Sequence, residues 1–277
     1  MEQSKKLKKR INPLLFFLII FSISAPFWLL GQFVKYDGLP LNIPVTEIFT
    51  TLSPVFATYV FLGKKDFKLL LHRIFDYERI KKKQWYLVII FFPFIIYLLV
   101  YIICSLFQLP LAERWDINFI SILKLSFLFF IAAAIEEFAY TGFLLEPMQK
   151  KHGAFLAGIL IGIPWAIWHY PSMIQQGRNT IWIFWGTIGT IAVRILLVWI
   201  YNNTEKSLFA CILFHTFLNI GRIIFPTDNN HNPLVDYPYV HYAVISTLTI
   251  IIILLWDRET FSKCKLCFPL NRQGNDK

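Results

Sequence analysis

The chain has 277 residues, 56% of them hydrophobic and 16% charged, with a formal net charge of +10. An ordinary soluble domain is about 45 to 50% apolar, so this composition excludes a water-soluble enzyme and indicates an integral membrane protein. A basic excess can signal nucleic acid, but here the basic residues flank apolar runs as membrane topology requires, and no nucleic-acid partner is expected.

About twenty apolar residues cross a hydrocarbon core of roughly 30 Å as helix. Eight runs qualify in chain order, near 14–34, 45–62, 85–107, 117–145, 153–173, 181–200, 208–224 and 240–256. The expected fold is an all-α polytopic bundle. The first run follows Lys5, Lys6, Lys8, Lys9 and Arg10, yet its apolar core is too long for a signal peptide and no small-residue cleavage site follows, so it is read as a retained helix. The second run is short and carries Thr46, Glu47, Thr50, Thr51 and Ser53. Residues 63–84, with Lys64, Lys65, Lys68, Arg73, Arg79, Lys81, Lys82 and Lys83, read as a basic amphipathic linker at an anionic membrane surface.

The basic tail, this linker, the turn with Lys150 and Lys151, and the C-terminal segment with Arg258, Lys263, Lys265 and Arg272 fall on one side of the bilayer. The positive-inside rule then places both termini in the cytoplasm of a multi-pass cell-membrane protein. A short chain without organellar signals reads as bacterial. Three regions follow: 1–116, N-terminal helices with the linker; 117–225, a polar-bearing core of the fourth to seventh helices; and 226–277, the last helix and basic tail.

Trp85, Tyr86, Trp199, Tyr201, Tyr239, Tyr242 and Trp256 lie near span ends and read as interfacial anchors. Lys124 is placed to snorkel. Cys104 and Cys211 fall within spans as small hydrophobes, and the single Cys264-x-x-Cys267 is too little to indicate zinc or redox chemistry. His72, His152, His231 and His241 lie in or near loops and take no role.

Against this background stand Glu136-Glu137, His169, and His215 with Asn219. Ionisable groups inside a membrane are costly and mark a pathway, a partner or chemistry. The alanines Ala132, Ala133 and Ala134 before the acids permit close approach of a neighbouring helix. Adjacent carboxylates point about 100° apart on a helix and need not share a role. Residues 136 and 169 lie on antiparallel arms either side of the turn near Lys151, roughly 20 to 25 Å from it at 1.5 Å per residue, so they are expected at similar depth. His215 and Asn219, four apart, share one helix face.

Glu136-Glu137-xxx-Thr141-Gly142, then Trp165-xxx-His169, then His215-xxx-Asn219 resembles the CPBP family of intramembrane proteases, which takes its name from CAAX proteases and bacteriocin-processing (Abi) enzymes. Its motifs are EExxxR, FxxxH and HxxxN, in that order on successive helices. Two departures stand out: Trp165 replaces the motif phenylalanine, and Thr141 the motif arginine, which would sit one turn after Glu137. Arg194, on the sixth run, either snorkels as Lys124 does or turns inward to supply that cation to Glu137.

The resemblance implies an intramembrane endopeptidase acting on membrane-associated or amphipathic peptides, with Glu136 as general base, His169 helping to hold or deprotonate the water, and His215 and Asn219 facing the oxyanion. A Zn2+ held by His169, His215 and Glu136 is chemically open, so metal-dependent and metal-free glutamate catalysis both stand. CAAX, bacteriocin and signal-peptide substrates all stand as well. HExxH, GxSxG and an intramembrane aspartate pair are absent. Two other classes compete. One is a catalytically silent binding or self-immunity protein, favoured by Thr141; the other is a proton-coupled transporter, which Glu136 and His169 would suit.

Overall fold

The computed structural model describes residues 12–34, 45–112, 119–225 and 231–264, and these fold as an all-helical bundle. α1 spans Pro13–Leu30; Asn12 caps it by accepting from Leu15 N at 3.3 Å, and Pro13 supplies a first-turn residue that needs no donor. α4 (Trp85–Leu106), α7 (Thr180–Asn203) and α10 (Pro238–Leu255) are single long apolar helices. α5 (Phe119–Glu137) runs through a π-helical stretch, Phe138–Leu145, into α6 (Glu146–Gln175), which breaks at Gly153. α8 (Leu208–Ile224) starts at Ser207, whose hydroxyl accepts from Ala210 N at 3.1 Å. A single turn, α9 (Pro233–Asp236), precedes α10.

By length and apolarity α1, α4, the α5–α6 stretch, α7 and α10 suffice to cross a membrane, and α8 is a shorter apolar helix. The second expected span departs from a continuous helix. It is a six-residue α2 (Val45–Thr50), then a break, then α3 (Ser53–Leu71), itself interrupted at Gly63. The side chains of Thr50 and Thr51 donate to the Glu47 carbonyl at 2.9 and 2.8 Å, taking up an acceptor at the end of α2 and so favouring termination. Ser24 and Ser53 share a hydrogen bond of 2.8 Å, and Trp168 Nε1 donates to Ser24 at 2.9 Å, tying the break to α1 and α6.

The linker is structured too. Beyond α3 it makes two 3-10 turns, and Asp76 Oδ1 accepts from Ser207 Oγ at 2.9 Å and Phe209 N at 3.0 Å, capping α8 from outside. Arg73 donates to Tyr201 Oη at 3.1 Å and the Lys206 carbonyl at 2.6 Å, while Tyr201 Oη donates to Glu146 Oε1 at 2.9 Å. Ala154 N meets the Glu259 carbonyl at 2.7 Å. Residues 73–79, 146–154, 201–206 and 258–260 therefore share one end of the bundle, matching the expected grouping of basic loops. The N-terminal basic residues, Lys265, Cys267 and Arg272 lie outside the described residues.

Two expectations need correction. Trp199 and Tyr201 are buried, Trp199 stacking edge-on between Trp85 and Trp256, because that end of α7 is covered by α4 and the chain after α10. His241 is no loop residue: it is buried within α10 between Tyr97 and Tyr242. Outside, Leu87, Phe91 and Leu98 on α4 and Leu123, Phe127 and Leu128 on α5 point away from the bundle, as lipid-facing residues must.

Close approach of two helices sets up the core. α6 packs on α7 through Gly158 and Gly162; a Cβ on Gly162 would meet Ile191 Cα at 3.1 Å and Arg194 Cβ at 3.3 Å. Small residues at this spacing let backbones meet without side chains between them. α5 closes on α8 in the same way, Ala133 and Ala134 packing against Leu208 and Ile212.

Candidate active site

The two carboxylates of α5 end in different surroundings. Glu137 is fully buried. Its Oε2 receives Arg194 Nη1 at 2.7 Å and Thr141 Oγ1 at 2.5 Å, and its Oε1 lies 2.9 Å from His215 Nδ1. Three donors converge on one carboxylate, an arrangement that only the ionised form satisfies in full. Since that carboxylate has no proton to give, Nδ1 of His215 carries one, and Nε2 is left to face elsewhere.

Arg194 is 1% exposed and so is no snorkelling residue. It reaches Glu137 from α7 because Gly162 lets α7 approach, and Arg194 Nη1 also lies 3.2 Å from Thr141 Oγ1. Its remaining guanidinium edge meets ring faces, the Cζ standing 4.1 Å from the Trp165 centroid and 5.4 Å from that of Tyr140. The cation that the family motif places one turn after Glu137 is here supplied from another helix, and the threonine in its place helps to hold the same oxygen.

Glu136 is far less engaged. Its Oε2 accepts from Trp165 Nε1 at 2.7 Å and lies 4.0 Å from His169 Nε2, while its Oε1 has no hydrogen bond among the described residues. Trp165 is thus more than a bulky stand-in for phenylalanine, because a phenyl ring has no N–H to give. It also packs edge-on to both His169 and His215, with centroids 5.6 and 5.7 Å away. The π-helical stretch begins at Phe138, directly after these acids; such an i→i+5 turn is rare and concentrates at functional sites.

Glu136, Glu137, Thr141, Trp165, His169, Arg194 and His215 form one connected cluster through these contacts. Asn219 stands one turn beyond His215 on α8, half-buried, and no hydrogen bond among the described residues joins it to the cluster. One residue was missed. Glu47, on α2, places Oε1 4.0 Å from His169 Nδ1 and accepts from Ser172 Oγ at 2.5 Å with Oε2. The only sequence signal was a carboxylate in a run otherwise read as membrane-spanning. Among the described residues no three His, Cys, Asp or Glu side chains come together as a metal-ligand set. The Glu137 bond at His215 Nδ1 leaves Nε2 free, as in the carboxylate–histidine pairs of metal sites, so His169, His215 and Glu136 would have to draw together to hold a zinc ion.

Comparison with known proteins gives two findings. Residues 118–221 match the family model described as type II CAAX prenyl endopeptidase, Rce1-like. The CAAX prenyl protease 2 of Methanococcus maripaludis is 24% identical over an alignment 277 positions long, which covers 91% of this chain and 96% of that protein. Both bear out the CPBP resemblance carried by the three motifs.

Proposed function

We propose that the chain cleaves a peptide bond near the C-terminus of a prenylated, membrane-anchored peptide, with Glu136 activating the attacking water. An intramembrane protease of CAAX type is what the family match and the related protease support. The prenylated substrate is carried over from their names, and the catalytic roles from the motifs and the geometry. One observation carries the reading: two adjacent buried carboxylates are unequally satisfied. Glu137 is saturated by Arg194, Thr141 and His215, whereas Glu136 gives Oε2 to Trp165, near His169, and keeps Oε1 uncommitted.

Glu136 Oε1 takes a proton from water, and the resulting hydroxide adds to the scissile carbonyl carbon. His169, across from Glu136 Oε2, steadies the water and the charge. The tetrahedral oxyanion faces His215 and the amide of Asn219. With Nδ1–H given to Glu137, His215 keeps Nε2 as the ring nitrogen to meet the oxyanion. The proton on Glu136 then passes to the departing nitrogen, the C–N bond breaks, and a carboxylic acid and an amine leave. The net change is one water added. No step is routed through a metal. The silent-binder reading rested on Thr141, and it weakens because Arg194 supplies the missing cation.

Incubation of the purified protein with a farnesylated CaaX peptide, its unprenylated twin and a bacteriocin leader peptide, read by mass spectrometry, tests the substrate. Cleavage of the prenylated peptide after the modified cysteine is expected. Cleavage of the leader alone would move the substrate class. Dialysis against a chelator should leave the rate within twofold of the untreated protein. Loss restored by Zn2+ would overturn the glutamate mechanism.

A further inference from the structure

Among the described residues Glu47 is the one carboxylate at the site that the three motifs do not contain, and several contacts place it. α2 is a single short helix, ended by Thr50 and Thr51 and anchored through Ser53 and Ser24 to Trp168, the residue before His169. Ser172, one turn after His169 on α6 and 6% exposed, donates to Glu47 Oε2, and Gln176 Nε2 donates in turn to Ser172 Oγ at 3.0 Å. The other oxygen, Oε1, faces His169 Nδ1 at 4.0 Å. On the far side of the same ring, Nε2 faces Glu136 Oε2, also at 4.0 Å. His169 thus lies between two carboxylates, one at each nitrogen, with its ring held edge-on by Trp165 and Trp168.

We propose that Glu47 is a positioning residue for His169. It fixes the Nδ1–H tautomer, so that Nε2 is turned to the water and to Glu136. An imidazole with no partner at Nδ1 is free to carry its proton at Nε2, and that tautomer offers the water an N–H in place of a lone pair. A purely structural role, Glu47 as glue to Ser172, would be served equally by glutamine, whose amide still meets the hydroxyl. Charge at Nδ1 would not be.

This role presupposes the peptide hydrolysis proposed above, so the test pairs a kinetic readout with a spectroscopic one on the full chain in lipid nanodiscs. The variants are Glu47→Gln, Glu47→Asp and Ser172→Ala. The kinetic substrate is the farnesylated CaaX peptide. The spectroscopic readout is the 15N shift pair of His169 in histidine-labelled protein, assigned with His169→Gln. Glu47→Gln should lower kcat about 10- to 100-fold with KM within twofold, the size of effect seen when an orienting partner is removed. It should also turn the His169 signal from one tautomer to a mixture. Glu47→Asp should recover part of both, and Ser172→Ala, which leaves the charge in place, should show a smaller loss. Unchanged His169 shifts in Glu47→Gln, or wild-type kcat in that variant, overturn the positioning role. A wild-type protein that cleaves none of the peptides, yet whose His169 shifts respond to Glu47→Gln, keeps the role and overturns the protease reading instead.

Discussion

At the scale of the residue, Arg194 decides whether Glu137 stays ionised in an apolar core. Removing one partner of a buried ion pair leaves an uncompensated charge, at a cost of about 3 to 5 kcal/mol. Arg194→Gln should therefore lower the thermal midpoint of the purified protein and its activity together. Adding Thr141→Arg should recover part of both, since that position already contacts Glu137 Oε2. A midpoint unchanged by Arg194→Gln would remove Arg194 from the account. Trp165 makes a separate prediction. Trp165→Phe keeps most of the ring contact with both histidines but deletes the donor to Glu136, and a hydrogen bond to a charged group is worth about 1.5 to 3 kcal/mol, so kcat should fall about tenfold or more at nearly constant stability. Full activity would show that the indole N–H is dispensable. Most of these residues were legible in the sequence because ionisable groups stand out against apolar helices. Glu47 was not, because in a short run already interrupted by threonines and serine a carboxylate reads as part of a weak span, and only the broken backbone shows that it turns inward.

At the scale of the element, the long helices follow from hydrophobic run length, and their ends from residues such as Asn12, Asn179 and Ser207, each of which accepts from the first turn. Interruptions were harder to read. The break after Thr50, the Gly63 interruption and the π-helical stretch after Glu137 are matters of backbone geometry, to which an averaged hydropathy is blind. The GxxxG pair Gly158 and Gly162 was visible in the sequence but took on meaning only with α7 laid against it. Gly162→Leu would push a side chain into Ile191 and the base of Arg194. Overpacking of this kind costs about 1 to 3 kcal/mol, and activity should fall further than stability because Arg194 moves away from Glu137. Equal activity in Gly162→Leu and wild type would mean that the α6–α7 approach does not position the site. The likeness of Trp199 and Tyr201 to interfacial anchors failed for a related reason: nearness to a span end says nothing about what covers that end.

At the scale of the whole molecule, interlocking contacts gather residues 73–79, 146–154, 201–206 and 258–260 at one end, and Gln175 reaches the Trp28 carbonyl at the other. Cysteines placed at Lys82, Lys150 and Lys263 should label from one face of sealed vesicles and a cysteine at Asn179 from the opposite face. Labelling of Lys82→Cys and Asn179→Cys from the same face would contradict that arrangement. Cytoplasmic exposure of the basic end is the orientation that the positive-inside rule proposes. His169 lies six residues before the end of α6 at Gln175, so the cluster sits nearer the end opposite the basic loops. The central claim is that neighbouring acids divide their work, Glu136 acting on the water and Glu137 holding the frame. Its most direct test is cleavage of the farnesylated peptide by wild type, Glu136→Gln and Glu137→Gln, each with its thermal midpoint. Glu136→Gln should keep the wild-type midpoint and lose cleavage, while Glu137→Gln should lose midpoint and activity together; cleavage at the wild-type rate by Glu136→Gln would contradict the account.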